Sequence, residues 1–183
     1  ITYSGYKINK VTDGSGKVYT FSYTDENHST ATEYIRYILH PSGEKTVFAY
    51  DSAANLKRIT HTDGTVSYFT YEDSDEKSML TARDSENYKL TFTYSSKASG
   101  KHVASVTEYG GTVQGQKITF DRSTYNSTKI RTAGIDGVYG NSNDLITTYQ
   151  FDNFGKTVSQ QLSTNGGVSS VAGAYEYTER KAS

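Results

Sequence analysis

Cysteine and tryptophan are missing from this chain, and proline and methionine occur once each. Without cysteine there is no disulfide, no thiolate nucleophile and no thiolate metal ligand, while the compartment stays open. Excess charge is missing too. The 19 Lys+Arg stand against 20 Asp+Glu, a formal net charge of −1, so no global field draws the chain to nucleic acid or to an anionic membrane. No apolar run approaches the roughly 18 residues of a membrane span, and no signal-peptide pattern is present. The chain starts at Ile1 rather than Met, from which we expect an excised piece of a longer protein.

What is abundant is tyrosine, at 17 residues, with a mean hydropathy of −0.68. Tyrosine, threonine and valine favour pleated, half-buried surfaces. A polar β protein that buries rings rather than aliphatic chains fits both numbers. Disorder, the other reading of low hydropathy, is opposed by an aromatic content of 13% at regular spacing.

The best-formed stretch is 49–71, where Leu56-Lys57-Arg58-Ile59-Thr60-His61-Thr62 and Thr65-Val66-Ser67-Tyr68-Phe69-Thr70-Tyr71 flank Asp63-Gly64. Asp-Gly between two such runs signals a two-residue type I′ hairpin. That loop predicts Ile59 opposite Tyr68, His61 opposite Val66 and Leu56 opposite Tyr71. In this register neither face of the hairpin is cleanly apolar: Arg58 shares one with Phe69.

The stretch is one copy of a repeat. The step Phe69-x-Tyr71 recurs at Phe21-x-Tyr23, Phe48-x-Tyr50 and Phe92-x-Tyr94, and in degenerate form at Ile118-x-Phe120, Tyr149-x-Phe151 and Tyr175-x-Tyr177. Successive second rings lie 21 to 31 residues apart, and six of the seven Phe fall inside the step. An acid follows directly at Tyr50-Asp51, Tyr71-Glu72, Phe120-Asp121 and Phe151-Asp152. Short strands between Gly, Asn and Asp turns predict an antiparallel meander. Residues 31–40 are the one place a helix competes; Pro41-Ser42-Gly43 and the following Phe48-x-Tyr50 favour another hairpin.

Each candidate for chemistry meets a plainer reading. The run Glu72-Asp73-Ser74-Asp75-Glu76 contains the two carboxylates a glycosidase needs, yet adjacent acids in a turn are usually solvated charge. The four His lack metal-ligand spacing. The loop 136–144, with Asp136, Asn141, Asn143 and Asp144, offers the oxygens calcium takes, although no bidentate Glu closes it and Asx turns use the same residues. Exposed tyrosines beside Asn and Asp suit a carbohydrate-binding module; regularly spaced rings equally suit inter-strand packing.

The pattern Tyr50-Asp51…Asn55-Leu56-Lys57-Arg58-Ile59-Thr60…Asp63-Gly64…Tyr71 resembles the YD repeat of the RHS/YD-repeat family. Asn55 stands where its turn glycine is expected. Phe151-Asp152-Asn153-Phe154-Gly155-Lys156 restores the glycine with Phe for Tyr. The resemblance implies consecutive β-hairpins forming a curved, repetitive sheet, part of a larger shell of the kind that encloses toxins or serves in adhesion. It makes Tyr50, Asp51, Leu56, Arg58, Asp63, Gly64, Tyr71, Phe151, Asp152 and Gly155 repeat-defining positions rather than a site. The family's self-cleaving Asp-Pro motif is absent, since Pro41 is the only proline. We therefore expect a single repetitive β domain over 1–183, non-catalytic and without cofactor, calcium being the weak exception. It belongs in a bacterial secreted or cell-surface protein. Its partners are the rest of its own repeat array and, in the alternative reading, a surface glycan or a cell-surface protein, with no nucleic acid and no membrane span.

Overall fold

A computed structural model describes residues 1–73, 76–97, 100–167 and 169–177. Its strands are β1 (Thr2–Ser4), β2 (Lys7–Thr12), β3 (Val18–Ser22), β4 (Tyr37–Leu39), β5 (Lys45–Tyr50), β6 (Leu56–Thr60), β7 (Val66–Tyr71), β8 (Met79–Arg83), β9 (Tyr88–Lys97), β10 (Gly100–Gly110), β11 (Val113–Asp121), β12 (Ser127–Thr132), β13 (Leu145–Phe151), β14 (Thr157–Thr164) and β15 (Ser169–Ala174). They are hydrogen-bonded neighbours in chain order, and no helix occurs among the described residues. The segment 31–40 supplies β4 instead. The chain divides into two compact units, Ile1–Lys89 and Leu90–Ser183.

The aromatic step falls on every odd strand from β3 to β13, Tyr23 standing one residue past the end of β3, so the repeat is a pair of strands. In three copies the second ring marks a bulge. The register shifts between Ala49 and Tyr50, between Thr70 and Tyr71, and between Gln150 and Phe151, three equivalent places. Each bulge leaves one residue of the next strand unpaired (Lys57, Leu80, Val158) and adds local twist.

A turn of one form recurs along the chain, opened at Asp51 and Asp152 by the acid after the ring. In residues 13–17, 40–44, 51–55, 61–65, 84–88 and 152–156, the first residue's N–H donates to the carbonyl of the fifth, at 2.9–3.0 Å. The fourth residue is left-handed in all six: Gly16, Gly43, Ala54, Gly64, Asn87 and Gly155. Where Asp leads, its Oδ1 accepts the N–H groups of the third and fifth residues, as Asp51 does from Ala53 and Asn55 at 2.9 and 2.8 Å. Asp13, Asp84 and Asp152 repeat this arrangement.

This turn corrects the expected register. Three residues, Thr62-Asp63-Gly64, form the loop, and only Gly64 has positive φ (83°). Arg58 pairs with Tyr68, Ile59 with Ser67 and Thr60 with Val66. The type I′ pairing was displaced by one residue, and such a slip turns a whole strand over. The position of the missing turn glycine is likewise Ala54 (φ 66°), not Asn55. A left-handed alanine is strained, so Ala54→Gly should raise stability by about 0.5–1 kcal/mol and Gly64→Ala should lower it similarly. Urea melts of the two variants check both signs.

With the observed register the faces of the first unit separate. One face carries Val11 beside Tyr19, then Phe21 beside Ile38, Phe48 beside Ile59, and Phe69 beside Ala82. The opposite face carries the rows Lys10–Thr20–Leu39–Lys45, Ser22–Tyr37–Val47–Thr60–Val66 and Ala49–Arg58–Tyr68–Arg83. The observed loop length takes Arg58 off the face of Phe69, while the opposite face still mixes Leu39, Val47 and Val66 with lysine and arginine. In the second unit Val106, Ile118, Phe120, Ile130, Leu145 and Leu162 share a face.

Neither unit encloses an apolar core: among the described residues no hydrophobic side chain is buried. The accessible surface of 12489 Å² exceeds the roughly 10,500 Å² that two independent compact domains of half the mass would expose. A sheet face normally packs against a second layer. These apolar faces are only half covered.

Candidate functional site

The repeat-defining residues do not converge. Tyr50 donates its OH to the Ile35 carbonyl at 3.0 Å, stacks on Tyr34 at 5.0 Å and lies under the Arg36 guanidinium at 5.4 Å. Burial pushes its phenol, and that of Tyr71, above the ordinary value. Leu56 faces Tyr50 across β5 and β6. Asp51, Asp63 and Asp152 are turn acceptors; Asp63 takes the Thr65 N–H and hydroxyl at 2.9 and 2.7 Å. Gly64 and Gly155 are the left-handed residues of their turns. Arg58 lines a shallow pocket of about 330 Å³ with Ala49, Lys57 and Tyr68.

Two histidines are used alike. His40 Nε2 lies 2.9 Å from Thr46 Oγ1, and His61 Nε2 lies 2.9 Å from Ser67 Oγ. Each heads its turn and reaches the hydroxyl six residues on. Ser74 and Asp75 of the acidic run fall outside the described residues. Among the described residues no group of three or more His, Asp or Glu could hold a metal.

The turn aspartates set an acid limit. Hydrogen bonds from the side chains of Ser15, Asn55 and Thr65 hold the carboxyls of Asp13, Asp51 and Asp63 below their ordinary 3.8. A depressed folded value stabilises the native state above the unfolded value, and this contribution is lost as pH falls through the folded one. The melting temperature should therefore hold level to about pH 4 and fall below it. In Asp51→Asn the acid limb should be shallower; thermal melts across this range read the difference.

The second unit holds the most constructed site. β12 ends before Gly134, and the loop 136–144 folds back to the start of β13. Tyr139 lies between two cations, Lys117 Nζ at 5.2 Å and the Arg131 guanidinium carbon at 5.1 Å from its ring centre. Its hydroxyl meets Thr119 Oγ1 at 2.7 Å. Arg131 Nε donates to Asp144 Oδ2 at 2.6 Å, and the Gly140 N–H donates to the same oxygen at 2.8 Å. Asp144 is fully buried, and its Oδ1 has no hydrogen-bond partner among the described residues. Beside this loop lies an open cleft of about 470 Å³ lined by Gln114, Gly115, Gln116, Lys117, Thr132, Ala133, Gly134 and Gly137.

Of the four calcium candidates, three come together. Asp136 Oδ2 accepts from the Nδ2 groups of Asn141 and Asn143 at 2.8 and 3.3 Å, and Asn141 Oδ1 accepts the Asn143 N–H at 2.8 Å. Asp144 instead pairs with Arg131. The oxygens a cation would use are thus largely engaged in the loop's own hydrogen bonds. Sequence reading missed Arg131 and Tyr139, which stand on a strand and in a loop with nothing in their local spacing to link them.

Serial antiparallel strands joined by tight turns define an all-β repetitive protein. No protein-family model matches the chain, and no curated protein matches it. Solved structures do resemble it. One is a chain in a structure of the Photorhabdus luminescens Tc holotoxin pore carrying a TccC3 mutation, with a TM-score of 0.56 at 14% identity. The match covers 89% of this chain and 9% of that one. At such identity the likeness is one of fold, and this chain spans under a tenth of its neighbour's length.

Proposed function

We propose that the chain is a non-catalytic structural segment of a bacterial secreted or cell-surface YD-repeat protein, a stretch of shell wall or of adhesin stalk. The observation that carries this reading is a serial sheet whose apolar faces are left without a buried core. Such a sheet suits a wall whose faces are completed by the remainder of its own array. The fold likeness to a chain of a toxin-complex pore, matched over 89% of this chain, supports it, as do the Tyr50-Asp51 step and its variants Tyr71-Glu72, Phe120-Asp121 and Phe151-Asp152. No cofactor belongs to this reading.

The absence of native cysteine permits a clean test. Ala82 lies on the apolar face and Ala49 on the opposite one. A single Ala82→Cys thiol should label rapidly in the isolated chain and at least tenfold more slowly in the parent protein. Equal rates in both would sink the wall reading.

A binding module for glycans or a surface protein is the second reading, favoured by the exposure of Tyr6 and Tyr125, at 82% and 92%. Saturable glycan binding abolished by Tyr125→Ala would establish it.

A further inference from the structure

The face of the first unit opposite Phe48 and Phe69 differs in charge from the chain as a whole. Its three cross-strand rows contain Lys10, Lys45, Arg58 and Arg83 and no carboxylate. All four cations are exposed, and none forms an ion pair among the described residues. Arg58 and Arg83 stand on either side of Tyr68, on neighbouring strands of one row. Strand spacing sets their backbones about 10 Å apart. Thr20, Thr60, Thr70 and Thr81 share the face, as do Leu39, Val47 and Val66.

We propose that this face docks an acidic polypeptide segment. Its two tyrosines are already capped by cations, Lys45 Nζ at 4.6 Å from the Tyr37 ring and the Arg83 guanidinium carbon at 4.6 Å from the Tyr68 ring. A capped ring is a poor platform for stacking a sugar or a base. To a polar ligand the face offers charge and hydroxyls, set around the aliphatic Leu39, Val47 and Val66. Guanidinium groups take carboxylates in bidentate fashion, and an array of one sign steers an oppositely charged partner with strong salt dependence. A net charge near zero hides this array, because the balancing acids lie elsewhere, notably in the turns at Asp13, Asp51 and Asp63. The inference does not depend on the wall reading, since it concerns the face opposite the apolar one.

The test uses the chain as it stands with a fluorescent oligoglutamate peptide as probe, followed by anisotropy. Saturable binding is expected at low salt, weakening at least tenfold at physiological salt. The double variant Arg58→Gln/Arg83→Gln should weaken it at least tenfold. Lys129→Gln in the second unit should leave it unchanged, with circular dichroism verifying the fold of each variant. Absence of binding, binding indifferent to Arg58 and Arg83, or tighter binding of oligothymidylate or of an acidic oligosaccharide at equal charge would each overturn the proposal. The last two outcomes would reassign the face to nucleic acid or to a glycan.

Discussion

Replacing Arg131 by methionine is expected to cost about 3–5 kcal/mol, because it leaves the Asp144 carboxylate buried without its counter-charge. Asp144 has no exposed surface, and one of its oxygens already lacks a partner. With Arg131 gone, the Gly140 N–H is its one remaining donor among the described residues. The loss also removes a cation from the Tyr139 ring, so the loop should loosen with the pair. Denaturant unfolding followed by circular dichroism reads the cost. The variant Arg131→Met/Asp144→Leu, which removes both charges, should recover most of it, since an apolar pair of similar volume often matches a buried ion pair. A single variant as stable as the parent would show that the carboxylate reaches water.

The second large effect belongs to Gly134. A Cβ built there would overlap the backbone carbonyl of Asn143. That carbonyl belongs to the chain itself, so no flexible side chain can swing aside. Gly134→Ala must therefore push the 136–144 loop off the sheet, at about 1–3 kcal/mol or more. Exchange of the amides of Gly137, Gly140 and Asn165 should accelerate, because each donates to an acceptor within this loop, its base or its end. Unchanged exchange at these sites would refute the assignment.

The contrast between these residues and the repeat shows what the sequence could reveal. Strand content and the pairing of strands in series were legible, because they rest on local spacing: rings two apart, turns between them, an acid after the second ring. Register was not. It hinged on whether the loop at Asp63-Gly64 holds two residues or three, and both lengths use Asp-Gly. The bulges at Tyr50, Tyr71 and Phe151 were likewise hidden, since an extra residue changes no composition. Arg131, Tyr139 and Asp144 meet through a chain reversal, so no period connects them. The basic face was hidden by summation, for net charge averages over surfaces that never meet.

The recurrent turn has a consequence for how such a chain can be recognised at all. It demands a tolerance for left-handed backbone at its fourth residue, met by Gly, Asn and even Ala. Its head is Asp, whose carboxylate caps the turn, or His, whose ring bonds a hydroxyl beyond it. Two loosely specified positions in each turn are a thin signature. Copies of the turn can therefore diverge in sequence while they keep the same hydrogen bonds, and kinship among them is written in those bonds more durably than in letters.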